Sequence, residues 1–170
     1  MDVYQSIRTR VAVRSFTPDP VPGPVIKKIL RAGRWAPSRR NTQPWHFIVI
    51  RDRDTLAQLA SMTSGGPYIA NAPLAIAIVM ENARMPQFDA GRLIENMLLV
   101  AWSEGIGTCF VGGFDHEKVK ELLGIPQDMD FVTVMPYGYP AEAAKSGGKR
   151  RKPLSDITHV ERFGEKWADI

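Results

Sequence analysis

The sequence predicts a layered α and β domain in which helices and short strands alternate along the chain. Apolar runs suited to buried strands, at residues 47–50 and 72–80, are separated by segments in which apolar residues recur every three or four positions. This alternation indicates about four or five strands. A length of 170 residues is that of one domain with its own core, so we expect residues 1–170 to form a single domain.

Helical spacing of apolar residues marks three segments in the N-terminal half. The predicted helices cover residues 3–10, 24–35 and 52–62, and each has apolar residues on one side and polar residues on the other. Residues 11–16 predict a short extended segment, which a cluster of prolines ends. The two apolar runs named above lack polar residues on either face, which is typical of central strands.

The longest periodic element is residues 89–104, and its apolar residues cover more than one side of a helix. Ile94 and Met97 belong to the main stripe, whereas Leu99 and Val100 lie off it. Because so broad an apolar surface is buried on more than one side, we expect a core helix that is also a subunit contact. A core helix in a monomer remains the alternative.

The glycine-rich segment after this helix does not have the order of a dinucleotide-binding turn. Gly105 follows a helix and leads into a predicted strand at residues 108–111, the reverse of the strand, turn and helix of that motif. Gly105 suits the end of the helix. Gly112 and Gly113 indicate a place where the backbone passes close to a ligand or another chain.

The last core elements are a predicted helix at residues 115–123, with Asp115 as its N-cap, and a predicted strand at residues 131–135. Residues 157–170 contain too few apolar side chains to form a separate domain. We expect this C-terminal segment to pack along its own subunit or along a partner.

Composition is that of an ordinary globular protein, with 44% hydrophobic and 24% charged residues. The N-terminus has no apolar signal region, and no segment has the uninterrupted apolar length of a membrane span, so the sequence predicts a cytoplasmic protein. Cys109 is the single cysteine, which excludes an internal disulfide. The three histidines are scattered and form no recognisable metal-ligand pattern.

The net charge of +4 and the pI near 9.4 leave nucleic-acid binding open, so the distribution of charge matters. The basic residues form one group near the start and another near the end of the chain: Arg8, Arg10 and Arg14, and then Lys145, Lys149, Arg150, Arg151 and Lys152. The two groups could make one anion site if the fold brings them together. A small basic nucleic-acid-binding protein is the alternative, but the chain has no helix-turn-helix, RNA-recognition or zinc pattern.

Residues 35–47 have the composition of a binding loop. Pro37 and Pro44 lack amide donors and have a fixed φ, so they end the preceding helix and stiffen the loop. Hydroxyl, guanidinium and amide groups lie between them, on Ser38, Arg39, Arg40, Asn41 and Gln43. An ordinary surface loop with a tryptophan anchor remains the alternative from the loop alone.

This loop resembles the signature of the nitroreductase family of flavin enzymes. In that family a helix ends in Ala-Pro-Ser, Asn follows, and Gln-Pro-Trp leads into the first long strand. The sequence has all of these residues, as Ala36, Pro37, Ser38, Asn41, Gln43, Pro44 and Trp45. The resemblance extends over nearly the whole chain. It implies a three-layer α+β fold with a mainly antiparallel sheet of about four or five strands flanked by helices, and a homodimer built on the long central helix.

The resemblance also implies that FMN binds at the subunit interface. Arg10, Ala12 and Arg14 occupy places where family members carry residues that grip the FMN phosphate. Ala12 departs from the serine of that pattern, so one hydroxyl contact should be missing. Lys149 and Arg151 belong to a segment similar to the family's Lys-x-Arg-Lys-Pro, which also reaches the phosphate.

The remaining contacts implied by the resemblance are to the flavin ring and the ribityl chain, from Pro37, Ser38, Asn41, Gln43, Gly112 and Gly113. No catalytic side chain is expected, because the flavin accepts hydride at N5 and the protein supplies position and electrostatics. The implied activity is reduction of nitroaromatics, quinones or related small acceptors by NAD(P)H in a ping-pong reaction. A reductive dehalogenase, a flavin-fragmenting enzyme or a flavin carrier without turnover remains an alternative.

Overall fold

A four-stranded antiparallel sheet lies at the centre of the fold, in a computed structural model that describes residues 1–141 and 149–167. Its strands, in the spatial order β1-β2-β4-β3, are β1 (Trp45–Ile50), β2 (Leu74–Met80), β3 (Gly107–Thr108) and β4 (Asp130–Gly138). The helices are α1 (Val3–Thr9), α2 (Gly23–Arg34), α3 (Arg53–Ser61), α4 (Pro86–Ser103), α5 (His116–Leu123) and α6 (Leu154–Ile157). Short 3₁₀ helices cover Arg39–Asn41 and Pro67–Asn71.

β2 is a central strand because both of its faces carry apolar side chains. All of its residues are buried, and it pairs with β1 on one side and β4 on the other. Ile76 and Ile78 pack into one apolar cluster, whereas Ala75 and Ala77 pack into a second cluster on the opposite face. Helices cover both faces, so the three-layer α+β arrangement with a mainly antiparallel sheet is confirmed.

α2 and α4 form the helical layer on one face of the sheet, and α3 and α5 form the other. Ile29 of α2 and Met97 of α4 are both buried in the first cluster. Gly33 lets α2 approach α4 closely, because a Cβ at this position would lie 2.9 Å from the Met97 sulfur and 2.9 Å from the Phe47 ring. This packing holds the end of α2, and the loop that follows it, against α4.

α4 begins at Pro86, slightly earlier than predicted, since proline suits the first turn of a helix. At its other end, Gly105 has a φ of 76°. The Gly105 N–H donates to the Trp102 carbonyl at 3.0 Å, and the Ile106 N–H donates to the Ala101 carbonyl at 2.9 Å. The prediction that Gly105 ends this helix is confirmed. No helix within the described ranges combines the length and the apolar content needed to cross a bilayer.

The third strand is shorter than the sequence predicts. The pattern favours a strand over residues 108–111, but only Gly107 and Thr108 pair with β4. The Val111 carbonyl accepts a hydrogen bond of 2.7 Å from the Thr133 hydroxyl of β4. The chain therefore leaves the backbone ladder after Thr108, and Val111 contacts β4 through a side-chain hydrogen bond instead.

The C-terminal segment starts beside α1, where the Lys149 ammonium donates to the Ile7 carbonyl at 2.7 Å. Further along, large apolar side chains stay exposed: Leu154, Ile157, Val160, Phe163 and Trp167. Packing along its own subunit is therefore wrong for these side chains, whereas packing along a partner stays a prediction. Lys145 of the basic group lies outside the described residues.

Candidate functional site

The two basic ends of the chain meet at one place, which we call the basic cluster and define as Arg10, Lys149 and Arg151. Partial burial lowers the pKa of the Lys149 ammonium, and the positive charges of Arg10 and Arg151 lower it further. Glu95 of α4 opposes this shift. Three cations held this close repel one another, so the cluster would gain free energy by binding an anion.

Arg10 has an unused hydrogen-bond donor inside this cluster. Its Nε is buried and has no hydrogen-bond acceptor within the described part of the chain. The nearest charge partner, Glu95 Oε1, lies 3.8 Å away, which is too far for a hydrogen bond. An unsatisfied buried donor costs about 1–3 kcal/mol, so an anionic acceptor at this position would stabilise the fold. The residues present therefore fit a phosphate.

Arg14 does not join the basic cluster. It lies next to Tyr68, whose pKa is raised to about 12 by burial and by Cys109, while Arg14 opposes that rise. Ala12, between the two arginines, is exposed and has no hydroxyl to offer. The prediction that Arg14 binds the phosphate remains untested, but the structure places its guanidinium beside different groups from those that surround Arg10.

A cavity of about 390 Å³ opens beside Arg14, and its walls come from three separate segments of the chain: Arg14, Ser15, Phe16, Pro18, Arg53 and Asn71. The Arg53 guanidinium is fixed there by a hydrogen bond of 3.1 Å to the Ala72 carbonyl. The sequence analysis did not single out Tyr68, Arg53 or Asn71. The 3₁₀ helix that carries Tyr68 and Asn71 has no periodic pattern of apolar residues. Only Gly66 before it and Pro67 at its start could have marked it as a turn.

Residues 37–43, here called the site loop, have a strained backbone. Arg40, Asn41 and Gln43 have φ values of 53°, 57° and 50°, although none is glycine. Such conformations cost free energy and persist where the surrounding structure enforces them, often at functional sites. The Ser38 hydroxyl oxygen accepts a hydrogen bond of 2.9 Å from the Gln43 N–H, and the Ser38 carbonyl accepts one of 3.0 Å from the Asn41 N–H. The loop is therefore preformed.

A buried carboxylate attaches the site loop to α4. The Asp89 side chain, in the first turn of α4, is only 4% exposed. One of its oxygens lies 3.5 Å from the Arg39 N–H, and the other accepts a bond of 3.1 Å from the Arg92 guanidinium. A buried carboxylate needs such partners. Asp89 is thus a positioning residue, and the sequence analysis noted it only as the start of a helix.

The polar side chains of the site loop point to solvent in this chain. Pro37, Asn41 and Gln43 are exposed, and Ser38 is half-buried. Because the Ser38 oxygen only accepts within the loop, its O–H remains available as a donor. Among the described residues, no hydrogen bond or ion pair joins this loop to the basic cluster. Both features suit a loop that meets its ligand across a subunit boundary.

Gly112 and Gly113 are glycines for different reasons. Gly113 has a φ of 74°, and a Cβ there would lie 2.5 Å from the Ser64 hydroxyl oxygen, so internal packing alone requires glycine. A Cβ on Gly112 would meet nothing closer than the Phe110 ring at 4.0 Å. The Phe110 side chain is 52% exposed. The open backbone face is therefore at Gly112, beside an aromatic ring that the sequence analysis placed inside a strand.

A model of the nitroreductase family matches two overlapping stretches of the chain, residues 7–84 and 67–139. These stretches contain the N-terminal arginines, the site loop and both glycines. A protein of Methanothermobacter thermautotrophicus, provisionally named NADH dehydrogenase/NAD(P)H nitroreductase, is 33% identical over 172 residues. The match covers 96% of this chain and 88% of that protein.

Solved structures have the same fold. An FMN-dependent nitroreductase from Clostridium difficile matches with a TM-score of 0.85 and 24% identity, over 93% of this chain and 98% of that one. An NADPH:FMN oxidoreductase from Vibrio harveyi, solved with NAD⁺, matches with a TM-score of 0.87 and 23% identity, over 98% of this chain and 80% of that one. The family model, the archaeal relative and these shared folds agree, and the chain belongs to the nitroreductase family.

Proposed function

We propose that this chain is an FMN-dependent oxidoreductase that takes hydride from NADH or NADPH and reduces nitroaromatics, quinones or related small acceptors by a ping-pong reaction. The observation that carries the proposal is the basic cluster, where the two ends of the chain supply three cations and one unused buried donor. The similar proteins include an FMN-dependent nitroreductase and an NADPH:FMN oxidoreductase, and this supports the same reaction class.

The basic cluster fits the phosphate of FMN. A phosphate monoester carries close to two negative charges near neutral pH. Arg10, Lys149 and Arg151 would donate to its oxygens, and each charge-assisted hydrogen bond contributes about 1.5–3 kcal/mol. The same charges that repel one another in the free protein would then be neutralised. Ala12 contributes no side-chain donor, so we expect the phosphate to depend on the arginines and Lys149.

Bound FMN would supply the redox chemistry, because the flavin accepts hydride and passes electrons on. The residues of this chain bind and orient it. The Ser38 hydroxyl and the Asn41 amide offer polar groups for the ring and the ribityl chain, and the backbone at Gly112 offers a face without a side chain. Because the site loop is already ordered by its own hydrogen bonds, binding costs little further conformational entropy.

The chain leaves the candidate site open, which supports broad acceptor specificity. Residues 81–85 connect β2 directly to α4, and this described segment contains no helix that could close over a substrate. A hydride donor and an acceptor would then use the same space in turn, as a ping-pong reaction requires. We expect flat aromatic acceptors of differing shape to be reduced.

We also propose a homodimer that completes the site. An apolar groove of about 340 Å³ runs along α4, lined in part by Val3, Trp35, Leu99 and Val100. Val3 is 70% exposed and Trp35 is 76% exposed. Soluble proteins rarely leave so much contiguous apolar surface in water, so a second copy would bury this face of α4. The site loop of one copy would then meet the basic cluster of the other.

The visible spectrum of the purified protein tests this function. We expect flavin absorbance after addition of FMN, and bleaching when NADH or NADPH is added without oxygen. A colourless protein that takes up no FMN would contradict the proposal. A carrier without turnover would bind FMN, but in stopped-flow experiments its flavin would stay oxidised in the presence of either nicotinamide.

A further inference from the structure

Two threonine hydroxyls hold consecutive backbone carbonyls at the two glycines assigned to the flavin. The Thr133 hydroxyl, on β4, donates to the Val111 carbonyl at 2.7 Å. The Thr63 hydroxyl donates to the Gly112 carbonyl, also at 2.7 Å, from the segment that links α3 to the following 3₁₀ helix. We call Thr63 and Thr133 the threonine pair. Two separate elements therefore hold the backbone that leads into Gly112 and Gly113.

The segment around Thr63 packs tightly against the glycines. The Thr63 oxygen accepts a hydrogen bond of 3.1 Å from the Gly65 N–H, and the Ser64 N–H donates to the Gly113 carbonyl at 3.2 Å. A Cβ on Gly65 would lie 3.0 Å from the Gly112 carbonyl oxygen, so a larger residue would push the two segments apart. The bond from Thr63 to Gly112 is thus part of a close contact between distant parts of the chain.

Thr133 is a buried polar residue in an apolar strand. Its side chain has no exposed surface, and its neighbours on β4 are Val132 and Val134. A buried hydroxyl costs free energy unless it has a hydrogen-bond partner, and valine has the same shape without that requirement. The bond to the Val111 carbonyl is therefore what the hydroxyl contributes at this position.

These bonds fix the direction of two N–H groups. The C=O and N–H of a trans peptide point in opposite directions, and the described residues contain no cis peptide. Because the Val111 and Gly112 carbonyls point at the threonine pair, the N–H groups of Gly112 and Gly113 point away from it. Both glycines are exposed, and neither N–H has an acceptor within residues 1–141 and 149–167. Without the threonine pair, the peptide between two glycines could rotate at little steric cost.

We propose that the threonine pair holds these two N–H groups as preformed donors to the polar edge of the flavin ring, which makes Thr63 and Thr133 positioning residues. The inference rests on the proposed function, which places this backbone against the ring. Hydride transfer from NADH or NADPH brings two electrons and one proton to the ring and releases NAD⁺ or NADP⁺. Because the ring gains electron density, fixed donors at its edge should bind the reduced form more strongly than the oxidised form.

Binding of FMN and of riboflavin, which has the same ring without the phosphate, tests this inference. Thr63→Val and Thr133→Val keep the side-chain shape and remove the donor. Each should lower the affinity for both flavins by the same factor of about ten, since the weakened contact is to the ring. Thr63→Ser keeps the hydroxyl and should restore the affinity. Thr55→Val is the matched control, because this half-buried threonine of α3 donates to Asp52 instead.

Two further measurements separate positioning from a general loss of stability. In Thr63→Val, reduced FMN should lose about tenfold more affinity than oxidised FMN, which lowers the two-electron midpoint potential by about 30 mV. In the flavin-free protein, the NMR signals of the Gly112 and Gly113 amides should shift in Thr63→Val and return in Thr63→Ser. A lower melting temperature alone would move neither the potential nor the ratio between the two flavin forms.

The possible outcomes distinguish this inference from the proposed function. An unchanged midpoint potential in Thr63→Val, or a loss of FMN affinity that riboflavin does not share, would overturn the inference. A wild type that binds both flavins while both valine variants bind them equally well would overturn it alone. A wild type that binds neither flavin would overturn the proposed function.

Discussion

Replacing Asp89 with asparagine tests how the site loop is held in its strained conformation. The Asp89 carboxylate is buried and joins two donors, the Arg39 N–H of the loop and the Arg92 guanidinium of α4. Asparagine keeps the size of the side chain but removes its charge. The charge-assisted bonds weaken, and one amide oxygen must serve where two carboxylate oxygens served before.

The expected magnitude follows from these contacts. Loss of a hydrogen-bond partner for a buried group costs about 1–3 kcal/mol, and the half-exposed Arg92 can turn to water instead. We therefore expect the free energy of unfolding to fall by about 1–3 kcal/mol. For a chain of this size the melting temperature should fall by about 2–4 °C per kcal/mol. FMN affinity should fall about tenfold, as about 1.4 kcal/mol of the binding energy would be spent on ordering the loop.

Amide hydrogen exchange separates a local effect from a global one. In Asp89→Asn, peptides covering residues 38–43 should exchange faster, while peptides from β2 should keep wild-type protection after correction for global stability. Asp54→Asn is the matched control, since Asp54 is an exposed acid in the first turn of α3. Unchanged exchange of the site loop and unchanged FMN affinity in Asp89→Asn would refute the positioning role of Asp89.

Three further predictions concern the surrounding structure. Gly113→Ala should lower the melting temperature much more than Gly112→Ala, because Gly113 has a positive φ and an added Cβ would meet Ser64. Calorimetry measures both melting temperatures, and an equal or reversed order would contradict this prediction. Burial raises the pKa of Tyr68 to about 12, so the free energy of unfolding should fall as pH rises from about 10 through 12. Tyr68→Phe should reduce that fall, and identical pH profiles of stability for the wild type and the variant would contradict the prediction. If the proposed homodimer forms through this face of α4, Leu99→Arg should sediment as a monomer in analytical ultracentrifugation and release FMN, whereas a variant that is still dimeric would exclude this face as the interface.

The elements with strong apolar patterns could be predicted from sequence, because burial alone determines them. β2 is apolar on both faces and α4 on several sides, and both were found close to their predicted bounds. β3 could not be predicted in length, since the number of its residues that pair depends on how it meets β4, a strand from another part of the chain. A single domain over residues 1–170 and a cytoplasmic location stay predictions.

The candidate site was only partly accessible to sequence reasoning. The charge distribution predicts that Arg10 could meet Lys149 and Arg151 at one anion site, and the resemblance to the family identifies the anion as the phosphate of FMN. The separate surroundings of Arg14 depend on the 3₁₀ helix that carries Tyr68, which packs beside it from a distant part of the chain, and residue order does not reveal that packing. The buried state of Asp89 is likewise a property of tertiary packing, because an isolated acid in a helix normally faces water.

The central claim is that the basic cluster holds the phosphate of FMN. The most direct test compares the affinity for FMN with the affinity for riboflavin, which lacks the phosphate. The proteins to compare are the wild type, the double variant Arg10→Ala, Arg151→Ala, and the control Arg150→Ala. We predict that the wild type and the control bind FMN at least about 100-fold more tightly than riboflavin, and that the double variant loses this difference while its riboflavin affinity stays unchanged. An equal preference for FMN in the double variant and the wild type would contradict the account.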